Sequence, residues 1–187
     1  MARHPGEFVR RRGRIWLTVG LSILALAGVL AFKTQSAGVG GTSVESEGPP
    51  APDFRLTSLQ GESVELHDFA GRILVLELWA TWCGPCRLQA EILHELYEEV
   101  AGSDIEFLAV SLGESREVVE RFVEDEPFTY PVLLDPDETL GISLEVYALP
   151  TVVVVDGEGR VRFAQAGITD AGTLRRVLSD LGVEIST

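Results

Sequence analysis

The apolar residues of this chain fall into one long uninterrupted run near the N-terminus and a series of short blocks separated by polar turns. The long run, Ile15–Phe32, holds eighteen residues without a charge, and as a helix it would span about 27 Å, close to the hydrocarbon thickness of a bilayer. Four arginines lie shortly before the run, and Lys33 follows it. The positive-inside rule therefore predicts a transmembrane anchor, with residues 1–14 as a basic segment in the cytoplasm and the remainder of the chain outside.

A cleavable signal peptide is the alternative interpretation of this run. Its apolar core is normally shorter, about 7–15 residues, and it ends at a small-x-small cleavage site. Thr34-Gln35-Ser36 fits such a site only loosely, and Lys33 lies directly before it. We therefore predict an uncleaved anchor at 15–32. The segment 33–49, rich in Gly, Ser, Glu and Pro, is typical of a flexible tether.

Short blocks with strand or helix patterns fill residues 50–187, which we predict to form one folded domain. The run Ile73–Trp79 is apolar on both alternating faces apart from Glu77, which is typical of a central strand covered on both sides. The helix predicted after it has apolar residues at every fourth position, at Leu88, Ile92, Leu96 and Val100.

The remaining blocks complete an alternation of strands and helices. A hairpin around Gln60-Gly61 precedes the central strand. Further strands are predicted at 105–110, 130–135, 152–155 and 160–163, and helices at 114–125, at 137–146 and after the Thr169-Asp170 cap. This order predicts an α/β domain with a parallel βαβ core.

The only two cysteines of the chain, Cys83 and Cys86, lie at the turn between the apolar strand and the helix that follows it. Helix N-termini present unpaired N–H groups and the positive end of the helix dipole, so they favour a thiolate, which is the nucleophile in disulfide exchange. One helical turn separates the two cysteines, so the second can form a disulfide with the first or resolve a mixed disulfide. The alternative is half of a zinc site, but zinc needs about four ligands, and His4, His67 and His94 lie at no finger spacing.

The stretch Trp79–Arg87, WATWCGPCR, resembles the active site of thioredoxins and is most similar to the membrane-anchored TlpA/ResA-type branch. The resemblance covers the chain from about Pro50 to Leu181. It implies a thioredoxin-like three-layer α/β sandwich with an N-terminal β-hairpin extension, preceded here by one transmembrane helix. It also implies that Cys83 and Cys86 are the catalytic pair, with no metal or nucleotide cofactor.

The resemblance assigns a role to the acidic residue of the central strand. In thioredoxins a buried acid lies six residues before the first cysteine and handles the proton of the second cysteine, which implies the same catalytic role for Glu77. A buried carboxyl without a partner loses hydration and tends to stay protonated. The alternative is a hydrated glutamate at an edge of the sheet.

The resemblance also implies a surface for the substrate polypeptide. Pro150 occupies the position of a cis-proline that packs against the two cysteines, and the backbone of Leu149 would pair with the substrate like an added strand. An ordinary trans proline at the start of a strand is the alternative. Three residues around the cysteines belong to the same implied substrate-binding set: Trp82, Gly84 and Pro85. Two departures, Glu145 and Ala148 where the family often has glycine, leave the shape of the preceding loop open.

The implied function is thiol–disulfide exchange, in the reducing direction, on the outer side of the bacterial cytoplasmic membrane. The substrates would be envelope proteins that contain disulfides, and a membrane thiol-reducing partner would supply the electrons. Apocytochrome c haem-site disulfides, copper-centre assembly proteins and general envelope disulfides all fit. Two alternatives are a binding or chaperone module without redox turnover and a peroxiredoxin-like peroxidase. Peroxiredoxins carry Thr and Pro where this chain has Ala80 and Leu76, which disfavours the peroxidase.

The charge of the chain bears on its partners. Residues 1–33 carry six basic residues and one acidic residue, whereas the rest of the chain carries nine basic and 28 acidic residues. Phosphate backbones require a basic face, so this acidic domain is not expected to bind nucleic acid.

Overall fold

The computed structural model describes residues 48–126 and 128–184, which form a mixed β-sheet flanked by helices. The strands in chain order are β1 Arg55–Ser58, β2 Ser63–Glu65, β3 Ile73–Trp79, β4 Ile105–Leu112, β5 Val132–Asp135, β6 Thr151–Val155 and β7 Val161–Ala166. The helices are α1 Gly84–Glu99, α2 Arg116–Asp125, α3 Thr139–Ser143 and α4 Ala171–Asp180, with a 3-10 turn at Leu66–Phe69.

The strand order across the sheet is β2-β1-β5-β4-β3-β6-β7, so β3 lies between β4 and β6. It pairs in parallel with β4 and antiparallel with β6, and every residue of β3 after Ile73 is buried. In this register Glu77 lies opposite Ala109 of β4 and Val152 of β6. The apolar run that predicts a central strand therefore reflects cover on both faces of the sheet.

The two faces of the sheet are covered unequally. One face packs Val75 and Trp79 of β3 against buried residues of α1, α2 and α4. The other packs the alternate β3 residues Leu74, Leu76 and Leu78 with residues of α3 and the 3-10 turn. The predicted three-layer α/β arrangement is confirmed for the described residues, with a full helical layer on one face and a thin layer on the other.

The predicted N-terminal hairpin is part of the same sheet. β1 and β2 pair antiparallel, and β1 also pairs antiparallel with β5, so the hairpin lengthens the sheet at that edge. The preceding residues follow a different path, because Pro50 forms a bridge with Arg160 just before β7. Gly48 is needed there, since a Cβ at this position would lie 1.8 Å from the Val161 carbonyl oxygen. The described chain therefore begins against the β6–β7 turn.

The prediction of the buried face of α1 is wrong in one respect. Leu88 is 48% exposed, whereas the buried side of the helix consists of Cys86, Gln89, Leu93, Leu96 and the residue that ends it, Val100. Steps of four residues drift about 40° around a helix at every step, so a strict four-residue repeat cannot remain on one face. Alternating steps of three and four keep the buried stripe aligned with the sheet.

The loop before β6 keeps a conformation that suits glycine. Glu145 has a φ of 54°, in the left-handed region, although it is not a glycine. The departure at this position therefore leaves the backbone in the shape that glycine adopts without strain. The helix α3 is shorter than the predicted range 137–146. Its first three N–H groups donate hydrogen bonds to the buried carboxyl of Asp135.

The predicted segments 1–14 and 15–32, and 33–47 of the predicted tether, lie outside the described residues. Within 48–126 and 128–184, no helix is both long and apolar enough to cross a membrane.

Candidate active site

The two cysteines lie where β3 passes into α1. Ala80, Thr81 and Trp82 form the turn, Cys83 is the N-cap residue of α1, and the helix begins at Gly84. Pro85 occupies the first turn, where its missing N–H would have had no partner within the helix.

Cys83 and Cys86 form a disulfide with an S–S distance of 2.04 Å. Their exposed fractions are only 4% and 3%, although both lie just beyond the end of β3, next to exposed residues. Trp82 beside them is 74% exposed, and Gly84 and Pro85 are also exposed. The arrangement offers a nearly covered disulfide within an accessible rim.

The Leu149-Pro150 peptide bond is cis, so the alternative of a trans proline is wrong. Leu78 of β3 pairs with Thr151 of β6, which places the residues just before Thr151 beside the end of β3. The sheet register therefore brings Leu149 and Pro150 to the edge that carries the cysteines. Leu149 is half-buried and packs on both apolar clusters.

Glu77 is fully buried, and the alternative of a hydrated glutamate at a sheet edge is wrong. The Tyr130 hydroxyl donates a hydrogen bond of 2.7 Å to its Oε2, while Oε1 has no partner among the described residues. Loss of hydration raises the pKa of Glu77 to about 8, although the hydrogen bond from Tyr130 acts in the opposite direction. This carboxyl can therefore take up and release a proton near neutral pH.

Two further residues hold the site and could not be identified from the sequence. The carboxyl group of Glu114, just after β4, accepts hydrogen bonds from Thr81 N at 2.8 Å, Thr81 Oγ1 at 2.5 Å and Ser111 Oγ at 2.9 Å. It thus braces the turn two residues before Cys83. Ser111 lies 3 residues from Glu114 in the sequence, but Thr81 lies 33 residues away, so no local motif predicts the contact with the turn.

Gln89 of α1 makes a second brace. Its Oε1 accepts a hydrogen bond of 2.7 Å from Thr169 N, and its Nε2 donates one of 3.3 Å to the Thr169 carbonyl oxygen. Both residues are fully buried. This pair fixes the beginning of α1 to the loop that leads into α4.

A cavity of about 440 Å³, here called the flanking cavity, lies beside the disulfide on the side of α1 and α2. Its wall contains both cysteines and the rings of Trp79, Phe122, Phe128 and Tyr130. The rim includes four exposed residues: Arg87, Glu91, His94 and Thr129. An ion pair of 2.9 Å joins Arg87 to Glu126 across this rim.

The chain is similar to known proteins in sequence and in fold. Residues 48–164 match the model of the AhpC/TSA family. The chain is 31% identical to the thiol-disulfide oxidoreductase ResA of Bacillus subtilis over 153 residues, which is 82% of this chain and 85% of that protein. It is 34% identical to ResA of Geobacillus kaustophilus over 134 residues, 72% of this chain and 77% of that protein.

Solved structures with similar folds carry related names. A DsbF homologue from Corynebacterium diphtheriae superposes with a TM-score of 0.66 and 28% identity, covering 78% of this chain and 96% of that one. The exposed lipoprotein thioredoxin Etrx1 of Streptococcus pneumoniae gives a TM-score of 0.64 and 26% identity, over 70% of this chain and all of that one.

The burial of Glu77 predicts a pH dependence of stability that a glutamine would abolish. An acid whose pKa is raised on folding stabilises the folded state fully below its unfolded value of 4.5, and this contribution is lost as pH rises through about 8. Within that window we expect each pH unit to lower the free energy of unfolding by about 1.4 kcal/mol in the wild type and not in Glu77→Gln.

Chemical denaturation at several pH values from 5 to about 8 measures this difference. Glu106→Gln is the matched control, because Glu106 lies on the neighbouring strand β4 but is partly exposed and paired with Arg72. Parallel stability curves for wild type and Glu77→Gln would show that the Glu77 carboxyl is not desolvated in the folded protein.

The brace by Glu114 predicts a second effect, on both stability and redox behaviour. Glu114→Gln keeps the shape but replaces one accepting carboxylate oxygen with an amide donor and removes the charge that strengthens the three hydrogen bonds, so we expect a loss of about 1–3 kcal/mol in stability. Removal of an acidic group near Cys83 favours the thiolate, which should make the reduction potential of the disulfide less negative.

Thermal unfolding and equilibration with glutathione measure the two effects. Glu124→Gln, in the last turn of α2 and exposed, is the control variant and should change neither. Unchanged stability together with an unchanged potential in Glu114→Gln would contradict the bracing role.

Proposed function

We propose, from the premise that this chain belongs to the AhpC/TSA family and is a thiol–disulfide oxidoreductase related to ResA, that it reduces disulfides of other proteins. The observation that carries the proposal is the Cys83–Cys86 disulfide at the N-terminus of α1, at the same edge as Leu149 and the cis-proline Pro150. A reactive cysteine needs a site that favours its thiolate and leaves room for a partner disulfide.

The proposed cycle transfers two electrons from the dithiol to the substrate. The Cys83 thiolate attacks one sulfur of a substrate disulfide, which forms a mixed disulfide and releases the other substrate sulfur as a thiolate. Cys86 loses its proton and attacks the Cys83 sulfur, which re-forms the Cys83–Cys86 disulfide and releases the second substrate thiolate. A membrane thiol-reducing partner then returns two electrons, and Cys86 takes up one proton, which restores the Cys83 thiolate and the Cys86 thiol.

Glu77 is proposed as the group that accepts the proton of Cys86. It lies on the face of β3 that α1 covers, since it is two residues from both Val75 and Trp79, which pack on that face. Its pKa of about 8 supports the role, because an acid or base works best when its pKa is near the operating pH. A group held ionised by a nearby cation would be a weaker base.

The rim of the disulfide is proposed to hold the substrate polypeptide. The backbone of Leu149 would add a strand-like contact, while Trp82, Gly84 and Pro85 would contact the residues around the substrate sulfur. Exposure of Trp82 supports this, because a large exposed aromatic side chain is a common contact in interfaces.

The direction of transfer is proposed to be reducing. The dipeptide between the cysteines, Gly84-Pro85, is the one found in reducing thioredoxins, with potentials of about −270 mV against about −120 mV for the oxidant DsbA. A strong oxidant requires a stabilised thiolate, and Glu114 instead places an acidic group on the turn before Cys83. Arg87, the cation of the motif, is paired with Glu126.

The site of action is proposed to be the outer side of the bacterial cytoplasmic membrane. The support is the arginine-flanked run at 15–32, together with the name of the Streptococcus pneumoniae relative, which describes that protein as an exposed lipoprotein. The proposed substrates are disulfide-bonded envelope proteins, including apocytochrome c and copper-centre assembly proteins.

Equilibration of the full-length protein with glutathione buffers tests the function. We expect a Cys83–Cys86 potential near −270 mV, reduction of insulin disulfides, and accumulation of mixed disulfides with envelope proteins when Cys86→Ser is expressed. Cys83→Ser is the control, because it removes the attacking sulfur and should trap nothing.

Three other results would each reject the proposal in a different way. A potential near −120 mV would reverse its direction. Absence of both reduction and trapping would favour the binding or chaperone module. Turnover of hydrogen peroxide at the same rate as disulfide reduction would favour the peroxidase.

Cell fractionation tests the proposed location. Full-length protein should remain in the membrane pellet, and protease added to spheroplasts should digest the domain at 50–187. Recovery of a soluble form that begins near Ala37 would instead identify a signal peptide, and protection from the protease would place the domain inside.

A further inference from the structure

The carboxyl group of Glu77 is isolated from solvent on every side that the structure describes. Its strand neighbours, Ala109 and Val152, are apolar, and the side chain itself is fully buried. Of its two oxygens, only Oε2 has a hydrogen-bond partner among the described residues, and that partner is Tyr130. Tyr130 is therefore the one described hydrogen-bond partner of the carboxyl group that would accept the proton of Cys86 in each cycle.

A proton acceptor must also release its proton once in every cycle. Transfer through an apolar wall is not available to a carboxyl group, because protons move along chains of hydrogen-bonded donors and acceptors. A tyrosine hydroxyl is both a donor and an acceptor, so it can receive one proton while it gives up another. Tyr130 has this capacity at the only described hydrogen bond of Glu77.

Tyr130 also reaches the flanking cavity, whose wall does not include Glu77. The cavity opens between exposed rim residues, and at about 440 Å³ it has room for water. Trp79 lines the same cavity, and its buried Nε1 has no acceptor among the described residues. An unpaired indole N–H on a residue of the same cavity wall is a further polar group that water in this space would satisfy.

The ring of Tyr130 is held in place by its neighbours. Its centroid lies 5.7 Å from that of Phe128 and 5.8 Å from those of Phe107 and Tyr97. Burial, together with the nearby Glu77 carboxyl, raises the pKa of Tyr130 well above its ordinary value. The hydroxyl therefore stays neutral and is fixed in orientation, as a relay requires.

We propose that Tyr130 is the proton relay between Glu77 and water in the flanking cavity, and this inference rests on the proposed proton-accepting role of Glu77. In the release step the protonated carboxyl donates its hydrogen to the Tyr130 oxygen while the hydroxyl hydrogen passes to water. One proton enters Tyr130 and one leaves, so it is neutral before and after. The reverse movement reprotonates Glu77 when the disulfide is reduced.

The charged groups around this path lie at its outer end. The β4 and β6 residues opposite Glu77 are apolar, and none of the buried residues of α1 is a charged residue. Besides Tyr130 and the two cysteines, the ionisable residues of the cavity are Arg87 and Glu126, which pair with each other, and Glu91 and His94 at the rim. A change of pH profile caused by His94 must therefore be separated from one caused by Glu77.

The test is the single-turnover rate at which Cys86 resolves a mixed disulfide between Cys83 and a model peptide, measured against pH. We expect Tyr130→Phe to slow resolution near neutral pH by at least about tenfold. A proton acceptor held in position usually accelerates a reaction about 100- to 10,000-fold, so an effect of this size is within the range of proton transfer. The rate should recover at high pH, where hydroxide removes the proton directly. The infrared carboxyl band of Glu77 should titrate at higher pH in this variant, because the hydrogen bond that lowers its pKa is absent.

Tyr97→Phe is the matched control, because it also removes a tyrosine hydroxyl, from the ring next to Tyr130. It should leave the resolution rate and the titration of Glu77 unchanged. His94→Gln tests the rim and should likewise keep the wild-type profile. The double variant Glu77→Gln/Tyr130→Phe should be no slower than Glu77→Gln alone, since both changes interrupt one path.

The outcomes separate this inference from the proposed function. If Glu77→Gln slows resolution and Tyr130→Phe does not, the relay is rejected while the role of Glu77 stands. If neither variant slows resolution, both are rejected. A loss in Tyr130→Phe that is equal at every pH, with an unchanged Glu77 titration, would indicate a packing role and would also reject the relay.

Discussion

The backbone pairing of β3 with β4 on one side and β6 on the other determines where the functional groups lie. Parallel pairing with β4 brings the ends of both strands to one edge, where Glu114 reaches back to the turn before Cys83. Antiparallel pairing with β6 brings the beginning of that strand, and with it Pro150, to the same edge. A shift of this register by one residue would turn Glu77 to the opposite face of the sheet.

The same strand, β3, contains a group whose burial is unfavourable for stability, the carboxyl of Glu77. A carboxyl with one hydrogen bond, between Val75 and Trp79, reduces stability at neutral pH, and a leucine would pack there without loss of hydration. The surrounding aromatic residues supply stability independently of it, since Trp79, Phe122 and Phe128 form a contiguous group. Stability is thus reduced at the position where proton exchange near neutral pH is required.

The sequence predicted the parts of the structure that depend on local pattern. The continuous apolar run identified β3, and the spacing of Cys83 and Cys86 identified the redox pair, because both signals lie within a few consecutive residues. The predicted buried face of α1 included Leu88, which is exposed in the structure. A strict four-residue repeat does not stay on one face of a helix, so this part of the prediction was wrong. Tyr130 and Glu114 act across 53 and 33 residues, and only the folded sheet brings each beside its partner.

The path of the chain from Gly48 to Ala51 determines where the described chain enters this domain. These residues are bound to Gly159 and Val161 at the β6–β7 turn, the end of β6 away from Pro150. The strands between the two ends are about 20 Å long. The described chain therefore enters the domain at the end of the sheet away from Cys83 and Cys86. Its first residues leave the edge with the disulfide uncovered, so partner proteins of very different size have access to it.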